Sequence, residues 1–210
     1  MPRYAVVVVD LLKGSLAKES PLARLNVSVF ERLQARIMKM VPNLERLLDA
    51  ARTRKIPVIF VVHTLRRVGE RYDDGGAIER MEKFYKVAPG DFPTEIYLEG
   101  TKWTEVIDEL GPRPTDHFVR KNRYSAFYGG NFEQLLKALE VDTLIITGMV
   151  TNSCVRMTAV DAFCRGWKCI APRDCVETID DETQKSALRD LSITCDIMAL
   201  DEVLELIKNA

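Results

Sequence analysis

Continuous apolar runs mark the strands that this chain predicts. The first reads YAVVVVD from Tyr4 to Asp10, a β-branched stretch that ends in a carboxylate. A run without polar alternation is typical of a strand buried on both faces of a parallel sheet. Five later stretches have the same character: 56–62, 117–120, 143–147, 167–170 and 195–198. We therefore predict a sheet of six strands.

Helical periodicity fills the intervals between these runs. Leucines 44, 47 and 48 and Ala51 recur at i, i+3, i+4 and i+7, which places Pro42 in the first turn of a helix. A second helix is predicted over 132–139, with Asn131 and Gln134 resembling a capping box. Further helices are expected over 152–165, 181–191 and 201–207. This alternation predicts an α/β fold, a three-layer αβα sandwich around a mostly parallel six-stranded sheet, as one domain over 1–210.

The segment 66–100 interrupts the pattern. It carries turn-forming residues at 73–76 and 89–90 and the scattered aromatics Phe84, Tyr85 and Tyr97. Long connections in compact domains often carry function, so we expect a lid or a subunit contact here rather than an idle loop.

Charge and cysteine content narrow the class of partner. Thirty basic and thirty-one acidic residues give a formal net charge of −1, which favours a small-molecule partner over nucleic acid or a membrane surface. No apolar run approaches the roughly 20 residues of a membrane span, and no cleaved signal is evident. Five cysteines, an odd number with no CxxC pair, predict reduced thiols in the cytoplasm and no thiolate metal site.

Three polar residues follow predicted strands. Asp10 ends the first strand, Lys121 ends the strand that begins at His117, and Cys154 follows the strand 143–147 through a short turn. Ligands of open α/β sheets bind beyond the carboxyl ends of the strands, so all three residues are expected in one crevice. Each also has an ordinary interpretation, because such residues are often a turn carboxylate, a solvated lysine or a core thiol.

Together these residues supply the groups of a cysteine hydrolase. A thiol at a helix N-terminus beside an ammonium should have a pKa below the usual value of about 8.5, which makes Cys154 a candidate nucleophile. Asp10 could take the thiol proton and pass it to a leaving amine. The backbone N–H groups of Val150, Thr151 and Cys154 are candidates for an oxyanion hole.

Three segments resemble a known family. VVVVD at 6–10, VRKNRYSAF at 119–127 and TGMVTNSCV at 147–155 are similar, in order and spacing, to the signature segments of the isochorismatase-like cysteine hydrolases. The resemblance implies a three-layer fold and a triad of Asp10, Lys121 and Cys154. It also implies a cis peptide at Val150–Thr151, no cofactor, and a homo-oligomer, either a dimer or a tetramer.

The resemblance also bears on the reaction. Family members that hydrolyse the vinyl ether of isochorismate typically lack the cysteine, so Cys154 favours cleavage of a C–N bond in a small amide, carbamoyl or ureido substrate. The segment 100–114 resembles the N-carbamoylsarcosine amidase and ureidoacrylate amidohydrolase subgroup. Nicotinamidases carry a metal site with an Asp-x-His pair, whereas Val61 stands two residues before His63 here, so no metal is expected. An isochorismatase-type ether hydrolase, a nicotinamidase and a catalytically silent scaffold remain the alternatives.

Four further residues are weighed as substrate contacts. Arg123 and Tyr124 could orient a carboxylate or stack on a planar substrate, although an ion pair and a packed ring are the commoner fates. Trp103 could reach the mouth of the pocket, although a contact between a helix and the core is more usual. His63 ends a predicted strand, and because a structural hydrogen bond explains it equally well, it is left outside the catalytic set.

Overall fold

The computed structural model describes residues 3–25 and 28–209. The strands are β1 (Tyr4–Val9), β2 (Val58–His63), β3 (Arg67–Val68), β4 (Arg71–Tyr72), β5 (His117–Lys121), β6 (Thr143–Met149), β7 (Lys168–Pro172), β8 (Val176–Glu177) and β9 (Asp196–Met198). The helices are α1 (Lys13–Leu16), α2 (Ser28–Thr53), α3 (Ala77–Tyr85), α4 (Phe132–Ala138), α5 (Arg156–Cys164), α6 (Asp181–Leu191) and α7 (Leu200–Lys208). Between β6 and α5, the residues Thr151–Val155 form a π-helical turn.

The central sheet has the order β5-β2-β1-β6-β7-β9, and all of these neighbours are parallel. The prediction of an α/β fold with six parallel strands is confirmed. The short strand β8 adds a seventh member, which pairs with the end of β6. Because β1 lies between β2 and β6, the carboxyl ends of β1, β2, β5 and β6 meet along one edge of the sheet.

The alternation of β1 side chains separates two apolar layers. Val6 and Val8 belong to a buried cluster that includes Leu44 and Leu48 of α2 and Val203 of α7. Ala5, Val7 and Val9 face the opposite way, into a cluster formed with α4, α5 and α6. Both faces of the strand are therefore buried, which explains why its sequence reads as a continuous apolar run.

Two local predictions about helix ends are wrong. Pro42 lies inside α2 rather than in its first turn. Buried apolar positions continue on both sides of it, among them Ile37 and Leu44, and this continuous stripe outweighs the loss of one backbone donor, a cost of about 3 kcal/mol in a helix interior. Asn131 precedes α4, but its side chain accepts no capping hydrogen bond, because its backbone (φ −109°, ψ 28°) is not extended as a side-chain cap requires.

The segment 66–100 folds into the hairpin β3–β4, the helix α3 and a 3₁₀ turn, Thr94–Tyr97. Three of its aromatic rings form a stack: the centroids of Tyr85 and Phe92 are 5.9 Å apart, and those of Phe92 and Tyr97 are 6.3 Å apart. These rings are buried in the same apolar cluster as Leu65. Whether the segment acts as a lid or a subunit contact stays a prediction.

All five cysteines are free thiols, three of them buried. No helix in the described ranges is long and apolar enough to cross a membrane. The cytoplasmic location stays a prediction.

Candidate active site

The three candidate residues are held at the carboxyl edge of the sheet by three different elements. Asp10 directly follows β1 with a left-handed backbone conformation (φ +57°). Lys121 is the last residue of β5. Cys154 lies in the π-helical turn that links β6 to α5. Each of the three residues therefore lies at the end of a strand or shortly after it, as predicted.

The Lys121 ammonium joins the other two residues. Its Nζ atom lies 2.7 Å from Oδ2 of Asp10 and 3.5 Å from Sγ of Cys154. The Lys121 side chain is fully buried and that of Asp10 is 8% exposed. An ion pair taken out of water needs additional hydrogen bonds to be stable, and this one has them: the Arg123 carbonyl accepts from Nζ at 3.1 Å.

His63 is the residue that sequence reasoning undervalued. Its backbone N–H donates to Oδ1 of Asp10 at 3.0 Å, and its Nδ1 atom lies 3.2 Å from Nζ of Lys121. The ring is 2% exposed and packs edge-on against Tyr97, with centroids 4.8 Å apart. The signal that could have revealed it is its place at the end of a strand, since β2 lies between β1 and β5.

Burial dominates the proton affinities of the site. It raises the pKa of the Cys154 thiol to about 12, because the partial offset from Lys121 is smaller and Asp10 adds to the rise. The expectation of a lowered thiol pKa is therefore wrong. Burial opposes the charge on Lys121, but Asp10 and Cys154 outweigh it, and the pKa of Lys121 is raised. Burial and the Lys121 ammonium lower the pKa of His63 well below its usual value, so the imidazole is neutral.

The turn before Cys154 differs in one detail from the prediction. The cis peptide joins Met149 and Val150, one residue earlier than Val150–Thr151. The reason is that β6 runs two residues further than predicted, through Met149, where it pairs with β8.

The backbone of this turn bears on the predicted oxyanion hole. The N–H groups of Ser153 and Val155 both donate to the carbonyl of Val150. The N–H group of Thr151 precedes both of these donors and that of Cys154 stands between them, in the first turn of the helix, where backbone donors lack intrahelical acceptors. The oxyanion hole of Val150, Thr151 and Cys154 stays a prediction.

Arg123 binds Asp73 of the segment 66–100. Its guanidinium donates to Oδ1 of Asp73 at 2.8 Å and to the Asp73 carbonyl at 3.2 Å. The neighbouring Asn122 donates to Oδ2 of the same carboxylate at 2.8 Å. Arg123 thus anchors the segment through an ion pair, and its contact with substrate stays a prediction.

Tyr124 faces a cavity of about 580 Å³. The wall is shared by Arg80 and residues 74–77 of the segment 66–100, residues 123–125 and 128, and residues 156, 157, 160 and 161 of α5. Cys154 is not part of this wall. Burial raises the pKa of Tyr124, and the charge of Cys154 adds to the rise.

Trp103 does not line this cavity. It lies in the 3₁₀ turn Lys102–Thr104, packs against the core, and carries Nζ of Lys102 at 4.3 Å from its ring centroid. Its carbonyl lies close to Gly14 of α1, where an added Cβ would come within 3.0 Å. The backbone of Trp103 therefore packs against α1, and a substrate contact of its ring stays a prediction.

Residues 3–25 and 28–209 contain no cluster of metal-ligating side chains. No three of their His, Cys, Asp and Glu side chains are grouped so as to hold a metal ion. His63 faces an ammonium instead of a second ligand.

Comparison with known proteins identifies the family. The model of the Isochorismatase domain matches residues 4–202. The chain belongs to the isochorismatase family. It is 34% identical over 142 residues to N-carbamoylsarcosine amidase of Arthrobacter sp, covering 68% of this chain and 50% of that protein. It is 29% identical over 131 residues to a ureidoacrylate amidohydrolase of Rhizobium rhizogenes, covering 59% and 51%.

A solved structure in the family matches the whole fold. A cysteine hydrolase from Pseudomonas syringae pv. phaseolicola 1448A superposes with a TM-score of 0.78 at 28% identity, covering 99% of this chain and 93% of that one. By contrast, the chain spans about half the length of the two amidases.

Proposed function

We propose that this isochorismatase-family protein is a cysteine hydrolase that cleaves a C–N bond in a small amide, carbamoyl or ureido substrate. The observation that carries the proposal is the contact of three groups at one strand edge: the Asp10 carboxylate, the Lys121 ammonium and the Cys154 sulfur. Nucleophile, base and fixed positive charge are the parts that a covalent amide hydrolysis needs. The named activities of the two relatives, a carbamoyl and a ureido hydrolysis, support the same class.

The proposed reaction starts from a protonated thiol. Because burial holds the Cys154 pKa near 12, the proton must leave as the sulfur attacks, and Asp10 accepts it. The Lys121 ammonium keeps the net charge of the site favourable for the developing thiolate. The tetrahedral oxyanion is bound by the backbone N–H groups of Val150, Thr151 and Cys154.

The second half of the reaction returns the proton. Asp10 passes it to the leaving nitrogen, the C–N bond breaks, and the acyl or carbamoyl group stays on Cys154 as a thioester. A water molecule, deprotonated by Asp10, then attacks the thioester carbonyl. The acid or carbamate leaves, and the thiol is restored.

A nicotinamidase is less well supported. The histidine that would serve a metal site, His63, uses Nδ1 toward Lys121 and its backbone toward Asp10. Tyr124 and the cavity beside it remain the best candidates for substrate contact. Assembly into a homo-oligomer, dimer or tetramer, and a cytoplasmic location belong to the same proposal.

The test is an ammonia-release screen of N-carbamoyl amino acids, ureido acids and simple amides, with wild type, Cys154→Ala and Cys164→Ala. Cys164 is an exposed thiol, so its replacement controls for the loss of a cysteine as such. We expect release by wild type and Cys164→Ala and none by Cys154→Ala. Trapping of a thioester on the peptide that contains Cys154, seen by mass spectrometry after acid quenching, identifies the intermediate. Hydrolysis that survives Cys154→Ala would refute the proposal.

A further inference from the structure

His63 contacts both charged members of the triad. Its strand β2 lies between β1 and β5, and in the parallel register His63 stands opposite Lys121. We propose that His63 is a positioning residue, whose backbone N–H fixes the Asp10 carboxylate while its Nδ1 atom accepts a hydrogen bond from the Lys121 ammonium. This inference rests on the proposed function, because it assigns a role within that site.

The count of protons on Lys121 supports this role. An ammonium has three N–H donors. Three oxygen or nitrogen acceptors lie at hydrogen-bonding distance from Nζ: Oδ2 of Asp10 at 2.7 Å, the Arg123 carbonyl at 3.1 Å and Nδ1 of His63 at 3.2 Å. The sulfur of Cys154 is a fourth acceptor, weaker and more distant, at 3.5 Å. With its donors directed in this way, the ammonium is held as a charge beside the sulfur.

The protonation state of the ring agrees with an acceptor role. A neutral imidazole has one acceptor nitrogen, and accepting at Nδ1 places the proton on Nε2. The Nε2 atom is buried and has no hydrogen-bond partner among the described residues. The contact of Nδ1 with Lys121 therefore accounts for the buried ring, even though the Nε2 N–H is left without a partner among the described residues.

Five charged or titratable groups of the site affect the test of this proposal. They are Asp10 after β1, Lys121 of β5, Arg123 beyond it, Cys154 in the π-helical turn and Tyr97 in the 3₁₀ turn. Without the His63 acceptor, the third N–H of the buried ammonium would have only the weak and more distant sulfur as acceptor, which favours the neutral amine. A neutral amine does not stabilise the Cys154 thiolate, so the thiol would become harder to ionise.

Three replacements separate the two ring nitrogens. Asparagine places its amide oxygen near the position of Nδ1, so His63→Asn keeps an acceptor for Lys121. Glutamine reaches toward the position of Nε2, so His63→Gln does not replace that acceptor. His63→Leu fills the space with no polar atom. All three retain the backbone N–H that donates to Asp10.

The experiment follows alkylation of Cys154 by iodoacetamide between pH 8 and 9.5, with peptide mass spectrometry to identify the site. Below the thiol pKa the rate is proportional to the thiolate fraction, so a rise of about one unit in the Cys154 pKa at fixed pH slows labelling about tenfold. We expect His63→Leu and His63→Gln to label Cys154 about tenfold more slowly than wild type, and His63→Asn to stay within about twofold. The exposed Cys164 in the same samples should label at an unchanged rate.

Two results would overturn the inference. One is equal labelling of Cys154 in wild type and His63→Leu, and the other is equal slowing in the Asn and Gln variants, with thermal unfolding showing that each protein is folded. If the Leu variant does not fold, the comparison of Asn with Gln decides alone. Because alkylation needs no substrate, the result is independent of the hydrolysis assay, in which survival of activity in Cys154→Ala would refute the proposed function instead.

Discussion

The strand edge and the segment 66–100 differ in how they hold their charged groups. At the edge, Lys121 and Asp10 are almost completely buried and 2.7 Å apart, and each has a further partner. In the segment, Asp73 meets Arg123 at 2.8 Å, but their side chains are 32% and 38% exposed. The two distances are nearly equal, but the energies of the two ion pairs differ, because solvent screens the exposed pair and not the buried one. The proposed reaction uses the buried pair, whereas the exposed pair attaches the segment 66–100 to residues beside the cavity.

The largest expected effect is that of replacing Asp10, whose charge influences both the hydrolysis rate and the reactivity of Cys154. Asp10→Asn keeps an oxygen for the His63 N–H but removes the base, so hydrolysis should fall by about 10²–10⁴-fold. The same change removes a carboxylate that raises the Cys154 pKa, so alkylation by iodoacetamide should become faster. Rates of ammonia release and of labelling on one protein preparation check both effects. Slower alkylation together with lost hydrolysis would contradict the assignment of Asp10 as base.

The second effect concerns stability. Lys121→Met leaves the Asp10 carboxylate buried and unpaired, so the free energy of unfolding should fall by about 3–5 kcal/mol. Lys137→Met is the matched control, because Lys137 also lies 2.7 Å from a carboxylate, that of Glu133, but is 67% exposed. The control should lose less than about 0.5 kcal/mol. Urea unfolding curves measure both, and similar losses would show that burial does not distinguish the pairs.

The same contrast explains what the sequence could predict. Asp10, Lys121 and Cys154 could be predicted to lie together because each stands at or after the carboxyl end of a predicted strand, and parallel strands bring their carboxyl ends together. The role of His63 depends on the strand order, with β2 between β1 and β5, which local sequence does not encode. The Arg123–Asp73 pair joins positions 50 residues apart through a segment with no periodic pattern. The thiol pKa was predicted in the wrong direction because dipole and charge were considered without the depth of the sulfur.

A third, smaller effect probes how the segment 66–100 contacts the site. A Cβ at Gly75 would come within 2.6 Å of Nε of Arg123, and Gly75 has φ +59°. Gly75→Ala should lower the free energy of unfolding by about 2 kcal/mol, through backbone strain of about 1 kcal/mol and displacement of Arg123. Gly76→Ala is the control: its φ is +80°, but an added Cβ meets nothing within 4 Å. Thermal unfolding of the two variants, if equal, would show that the approach of Gly75 to Arg123 contributes nothing.

The smallest effect is a pH dependence of the same attachment. The Arg123 guanidinium holds the pKa of Asp73 below its usual value. A lowered folded-state pKa means that the pair stabilises the attachment above the ordinary aspartate pKa of about 3.9, and that this contribution is lost as the pH falls through the folded-state value. Hydrogen exchange of amides 67–85, corrected for intrinsic rates, should therefore rise at most several-fold between pH 6 and pH 3. Asp73→Asn removes the titrating group, so its exchange at pH 6 should already resemble that of the wild type at pH 3. If the variant still showed the wild-type rise in exchange on acidification, another carboxylate would hold the segment, and the exposed Asp73–Arg123 pair would not be its attachment.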